Sequence, residues 1–184
     1  MIVDHGFKPA GRRSIRLGGY DYSRDGGYFV TVCAENRECL FGSIADGAMS
    51  LNTFGDIVAS EWLKTPVLQP NVILDEFVVM PDHFHGIVLI TTCRGVLQYA
   101  PTNAVLRSPS QTAGAIVRGW KGAVAKKINE ARCTPGAPVW QRNYYDHIIR
   151  NEQDLDAIRA YIVNNPARWA DDEENQTRKI PSRP

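Results

Sequence analysis

The 184-residue chain lacks any apolar run long enough to cross a bilayer. Its opening, Met-Ile-Val-Asp-His-Gly, also lacks the apolar stretch that heads a secreted protein. Both absences predict a cytoplasmic protein with no membrane partner. Cysteine is sparse: Cys33, Cys39, Cys93 and Cys133 are scattered without a Cys-x-x-Cys pair. That pattern argues against a zinc knuckle and for reduced thiols. Charge of either sign is also missing from the total, which is +1 at neutral pH.

The distribution of that charge is uneven. Residues 1–24 carry Lys8, Arg12, Arg13, Arg16 and Arg24 against Asp4 and Asp21, and residues 107–132 carry Arg107, Arg118, Lys121, Lys126, Lys127 and Arg132 against Glu130. Acid collects in Asp171-Asp172-Glu173-Glu174. Two basic patches on a near-neutral chain suit phosphate contact at a defined surface, although solvated faces look the same in sequence. With 43% hydrophobic and 22% charged residues, the composition is that of a globular protein, and the length suits one domain.

Patterning divides the chain into a basic N-terminal arm (1–27), a single domain (28–169) and a polar tail (170–184). Tyr28 to Ala34 is β-branched and aromatic, hence a strand. Leu40–Ile44 and Ala48–Leu51 flank the turn dipeptide Asp46-Gly47. Asn52 or Thr53 caps a helix with Ile57, Val58 and Trp62 on one stripe, ended by Pro66. Val72–Met80 and His83–Thr92 form a hairpin across Pro81-Asp82. Residues 93–110 show no periodicity and are expected to be a flexible loop. A helix over 112–131 carries Ala115, Ile116, Trp120, Val124 and Ile128 at helical spacing, with Trp120 read as core. A fourth strand falls within 138–149, and a last helix runs from Glu152 to Asn164 before Pro166. The order β, α, β, β, α, β, α predicts an α+β fold, an antiparallel sheet with helices packed on one face, of the ferredoxin or RRM type.

The chemistry concentrates in Met80-Pro-Asp-His-Phe-His-Gly86. On a strand, positions i and i+2 share a face, so His83 and His85 project side by side about 7 Å apart at the backbone, while Phe84 turns the other way. Two such imidazoles are half of a metal site, or two satisfied surface histidines. On the last helix Tyr161 and Asn165 are four apart and share a strip beside the apolar stripe of Leu155, Ile158 and Ile162. A phenol has a pKa of about 10, low enough to serve as nucleophile and leaving group, and an amide oxygen is a hard ligand. Helix packing for Tyr161 and a helix end for Asn165 are the plainer alternatives. His147 and Asp146 read as ligand-orienting or DNA-contacting groups or as sheet residues, and Gln141 and Arg142 as base contacts or a strand end.

Met80–Gly86, Trp140-Gln-Arg-Asn-Tyr-Tyr-Asp-His147 and Ala160-Tyr-Ile-Val-Asn-Asn-Pro166, in that order, resemble REP-associated tyrosine transposases. These are bacterial single-tyrosine relatives of insertion-sequence transposases in the HUH endonuclease superfamily. The resemblance takes in Arg13–Leu17, Tyr20-Asp-Tyr22 and Tyr28–Thr31, so it spans about residues 12–168. It implies Mg²⁺ or Mn²⁺ held by His83, His85 and Asn165, and Tyr161 attacking a single-stranded DNA phosphate to give a 5′-phosphotyrosine. The implied partner is a REP-type DNA hairpin in the bacterial nucleoid, bound by a monomer in preference to a homodimer. Arg12, Arg13, Arg16, Arg118, Lys121, Lys126, Lys127, Gln141 and Arg142 are the candidates for DNA contact. Two competing readings are a non-catalytic hairpin-binding module on an RRM-like sheet and a zinc hydrolase.

Overall fold

The computed structural model describes residues 25–91 and 112–171. Most of the expected arm, the 93–110 segment with Cys93, and the tail beyond Asp171 lie outside the described residues. In chain order the elements are β1 (Gly26–Cys33), a 3-10 turn (Glu35–Arg37), β2 (Gly42–Ala45), β3 (Ala48–Leu51), α1 (Thr53–Leu63), α2 (Thr65–Leu68), β4 (Val72–Val79), β5 (His83–Ile90), α3 (Ala113–Ala131), β6 (Tyr145–Ile149), α4 (Glu152–Asn164) and a 3-10 turn (Pro166–Asp171).

Four strands form one sheet in the order β4-β5-β1-β6, with every neighbour antiparallel. This is the α+β arrangement that the element order implies. β2 and β3 form a separate hairpin, closed by Asp46 and Gly47 at φ 53° and 73°. Two consecutive positive φ values are what a two-residue hairpin turn with the correct twist demands. Asn52 caps α1 by accepting from the backbone N–H groups of Phe54 and Gly55, and Thr112 caps α3 through Ala115. Two boundaries differ from the sequence expectation. Pro66 sits in the first turn of α2, where its missing N–H costs nothing, so it opens a helical turn and does not end one. The fourth strand is confined to Tyr145–Ile149, with Trp140 meeting Ala34 in an isolated bridge.

Both faces of the sheet are covered. Tyr28, Val30 and Val32 of β1 point with Phe84 and Val88 of β5 toward Val58 and Trp62 of α1 and the Ile116–Trp120–Val124–Ile128 stripe of α3. Phe29 and Ile87 point the other way and meet Ile158 and Ile162 of α4. The expected one-sided helix layer therefore contains α1 and α3, and α4 lies across the opposite face. The reason is that β1 and β5 carry large apolar side chains on both sides, so an uncovered face would leave Phe29 and Ile87 in water.

Polar links fasten α4 to both edges of the sheet. On β4, Arg159 donates from Nε and Nη2 to the two carboxylate oxygens of Asp75 at 2.9 and 2.6 Å. Asp75 lies in a bulge between Leu74 and Phe77, where the pairing with β5 slips. At the other edge, His147 Nε2 of β6 meets the Asp154 carboxylate at 3.0 Å. Within β5, Gly86 makes room for the α1 side: a Cβ there would sit 2.8 Å from the Phe84 ring and 3.0 Å from Trp62.

Candidate active site

The two histidines occupy the start of the inner strand β5, on the face covered by α4. Alternation sends Phe84 into the α1 and α3 layer and leaves both imidazoles together, ring centroids 4.5 Å apart and fully buried. Each ring is held at Nδ1. His83 Nδ1 lies 2.6 Å from Asp82 Oδ1, and His85 Nδ1 lies 2.8 Å from the Thr31 hydroxyl on the neighbouring β1. Phe29 stacks on His85 at 5.3 Å. Both Nε2 atoms are thereby left for other partners. His83 Nε2 is buried with no hydrogen-bond partner.

Tyr161 of α4 brings its hydroxyl to 3.4 Å from His85 Nε2, a long contact, with its ring set edge-on to Phe29. One turn later Asn165 is 3% exposed, and its Oδ1 is also buried without a partner. Burial, and then the neighbouring His83 and Arg37, hold the His85 pKa well below its ordinary value, so the ring is neutral at neutral pH. Among the described residues no three His, Cys, Asp or Glu side chains converge as metal ligands. A cation here would take two imidazole nitrogens and the amide oxygen of Asn165, leaving positions open for water or a phosphate oxygen. The donor set, two borderline imidazole nitrogens and one hard amide oxygen, could hold a divalent ion: two of the three donor atoms are buried and unsatisfied, and the third has only the long phenol contact.

The other sequence candidates are spread more widely. Lys121 is partly buried and donates to the Gln141 carbonyl at 2.7 Å, beside the end of β1 where Cys33 pairs with His83. It is the α3 cation that reaches the histidine end of the sheet. Lys127 is engaged with Glu61 of α1 at 2.6 Å and Lys126 with Glu130 at 3.9 Å. Arg118 is exposed on α3, on the far side of the sheet from the imidazoles. Arg142 is exposed, and Gln141 donates its backbone N–H to Cys33. His147 is paired with Asp154, and Asp146 faces the opposite side from the histidines, in register with Val30. Arg12, Arg13 and Arg16 lie outside the described residues. Trp120 is core, 4% exposed.

Four residues around the site escape sequence reading. Asp82 precedes His83 and reads there only as a turn residue. Thr31 needs the β1–β5 register, and Arg37, which faces Asp82 at 3.6 Å, needs the loop geometry. Trp169, whose ring is 6.0 Å from His83, needs the path of the chain after Asn165.

No protein-family model matches the chain. An uncharacterized protein of Haemophilus influenzae is 45% identical over 170 residues, covering 88% of this chain and 92% of that protein. The structure of a REP-associated tyrosine transposase bound to a REP hairpin superposes with a TM-score of 0.54 at 21% identity, over 84% of this chain and 74% of that one. The second likeness is one of fold.

Proposed function

We propose that this chain, which belongs to one family with the Haemophilus influenzae protein and has the fold of a REP-associated tyrosine transposase, is a metal-dependent enzyme that nicks and rejoins single-stranded DNA at hairpins. The observation that carries the reading is the Tyr161 hydroxyl 3.4 Å from His85 Nε2, with the His83 ring 4.5 Å from that of His85 and buried polar atoms without partners on His83 and on Asn165, one turn after Tyr161. A structural tyrosine does not require that company.

His83, His85 and Asn165 would hold Mg²⁺ or Mn²⁺. When bound, such an ion polarises the scissile phosphate and stabilises the charge that develops on its oxygens. The chain itself supplies the rest. The ring of Tyr161 packs against the cluster of Phe29, Ile87, Ile158 and Ile162, and its phenol reaches His85. Attack by the phenol oxygen forms a phosphorus–oxygen bond to Tyr161 and breaks the bond to the 3′ oxygen. The phenol gives its proton to solvent, and the departing 3′ oxygen takes one from solvent. The product is a 5′-phosphotyrosine, whose bond energy permits rejoining without ATP. The hairpin-bound state of the transposase of like fold supports a DNA hairpin as substrate, with Arg142 and Lys121 the cations placed toward this end of the sheet.

Incubating the full chain with labelled single-stranded hairpin DNA and Mn²⁺, then running a denaturing gel, tests the proposal. A covalent adduct is expected with the wild type and none with Tyr161→Phe, which keeps its hairpin affinity. Adduct formation by the Phe variant would overturn the assignment of the nucleophile. Binding without any adduct in the wild type would favour a non-catalytic hairpin-binding module.

A further inference from the structure

The two imidazoles are fastened by partners of different kinds. Thr31 offers His85 a hydroxyl, which donates or accepts and so suits either ring tautomer. Asp82 offers His83 a carboxylate, and an ionised carboxylate only accepts. At 2.6 Å, with Asp82 1% exposed and His83 fully buried, this bond obliges Nδ1 to carry the proton. A ring with its single proton on Nδ1 carries its lone pair on Nε2, the atom left buried and without a partner.

The surroundings hold Asp82 in place. Its backbone carbonyl accepts from Ala34 at 2.8 Å, Pro81 accepts from Phe41 at 3.0 Å, and Met80 donates to His83 at 2.8 Å. Its second carboxylate oxygen faces Arg37 Nη1 at 3.6 Å, and the Arg37 side chain is 6% exposed. Arg37 reaches this position because Asn36 and Arg37 both take left-handed backbone, φ 53° and 57°. Such a conformation is costly for residues other than glycine and persists where the surroundings impose it. A buried arginine on a strained turn, facing one oxygen of a carboxylate whose other oxygen holds an imidazole, is a built arrangement.

We infer that Asp82, backed by Arg37, is a positioning residue that fixes His83 as its Nδ1–H tautomer and directs the Nε2 lone pair at the metal position. This inference rests on the metal reading above and deepens it. Carboxylate partners of metal-binding histidines typically govern affinity by 10- to 100-fold.

Two measurements on the full chain decide it. Long-range ¹H–¹⁵N spectra of the metal-free protein report the tautomer of each histidine, and Mn²⁺ titration followed by electron paramagnetic resonance reports affinity. The wild type should show His83 as Nδ1–H. Asp82→Ala should move the proton to Nε2 and weaken Mn²⁺ by about 10- to 100-fold. Asp82→Asn, which keeps an accepting oxygen without the charge, should retain the tautomer and lose affinity several-fold. If the Ala variant does not fold, the Asn variant decides, and affinity within twofold of wild type overturns the inference. An unchanged His83 tautomer in Asp82→Ala overturns it as well. A wild-type chain that binds no Mn²⁺ would instead sink the metal reading, while the metal-free spectra still judge the tautomer.

Discussion

His85 is wholly enclosed between Phe29, Thr31 and Tyr161, and water reaches none of it. Burial therefore dominates its acidity, with His83 and Arg37 adding to the same effect, and its folded pKa falls well below 6.5. In the unfolded chain the ring takes up a proton near pH 6.5. Between that value and the lower folded value, the unfolded state binds more protons, so this residue's contribution to stability is present above about pH 6.5 and declines as the pH drops below it. Urea denaturation in chelator should show the midpoint falling from pH 7 to pH 5. His85→Gln should flatten that decline, and an equal decline in the variant would refute the attribution. The sequence shows the two imidazoles and their shared face, but not this burial. Enclosure depends on a helix more than sixty residues later and on Thr31, whose place beside His85 follows from strand register.

At the scale of the element, α4 is a short helix with one buried stripe, Ile158 and Ile162, so packing alone holds it lightly. Its polar links to β6 and β4 set its position across the sheet. The Arg159 guanidinium lowers the Asp75 pKa, the mark of a carboxylate held in its charged form. Asp75→Asn removes that charge from the bulge. Hydrogen exchange should then quicken through α4 while β1 and β5 keep their protection, and an unchanged α4 would show that the link carries no load. The helix itself was legible, from Glu152 to Asn164 before Pro166, because its stripe and its stop are local. Its side of the sheet was not legible. Both faces of β1 and β5 carry large apolar side chains, and periodicity does not say which face each helix takes.

At the scale of the molecule, α1 and α3 form one layer, the sheet a second and α4 a third. Cations that look equivalent in sequence differ in where they reach. Arg118 and Lys126 are exposed on α3, with the sheet between them and the imidazoles, whereas Lys121, on the same helix, donates to the Gln141 carbonyl beside the end of β1 that pairs with His83, and Arg142 follows Gln141. Replacing both Arg118 and Lys126 with alanine should change hairpin affinity by less than twofold in an anisotropy titration. A larger loss would mean that DNA wraps onto the α3 layer. Composition and charge runs locate basic segments, but only the fold says which of their side chains reach the end of the sheet that carries the imidazoles.

The same layering has a genetic consequence. The imidazoles belong to β5, and the phenol and the amide travel together on α4, which is seated on its own chain's sheet. A chain with both histidines replaced and a chain with Tyr161→Phe each lose one half of the centre. Mixed in equal amounts, they should remain inactive, because no molecule in the mixture has both halves. Recovered adduct formation would mean that copies trade their last helix, and that each centre is assembled from two chains.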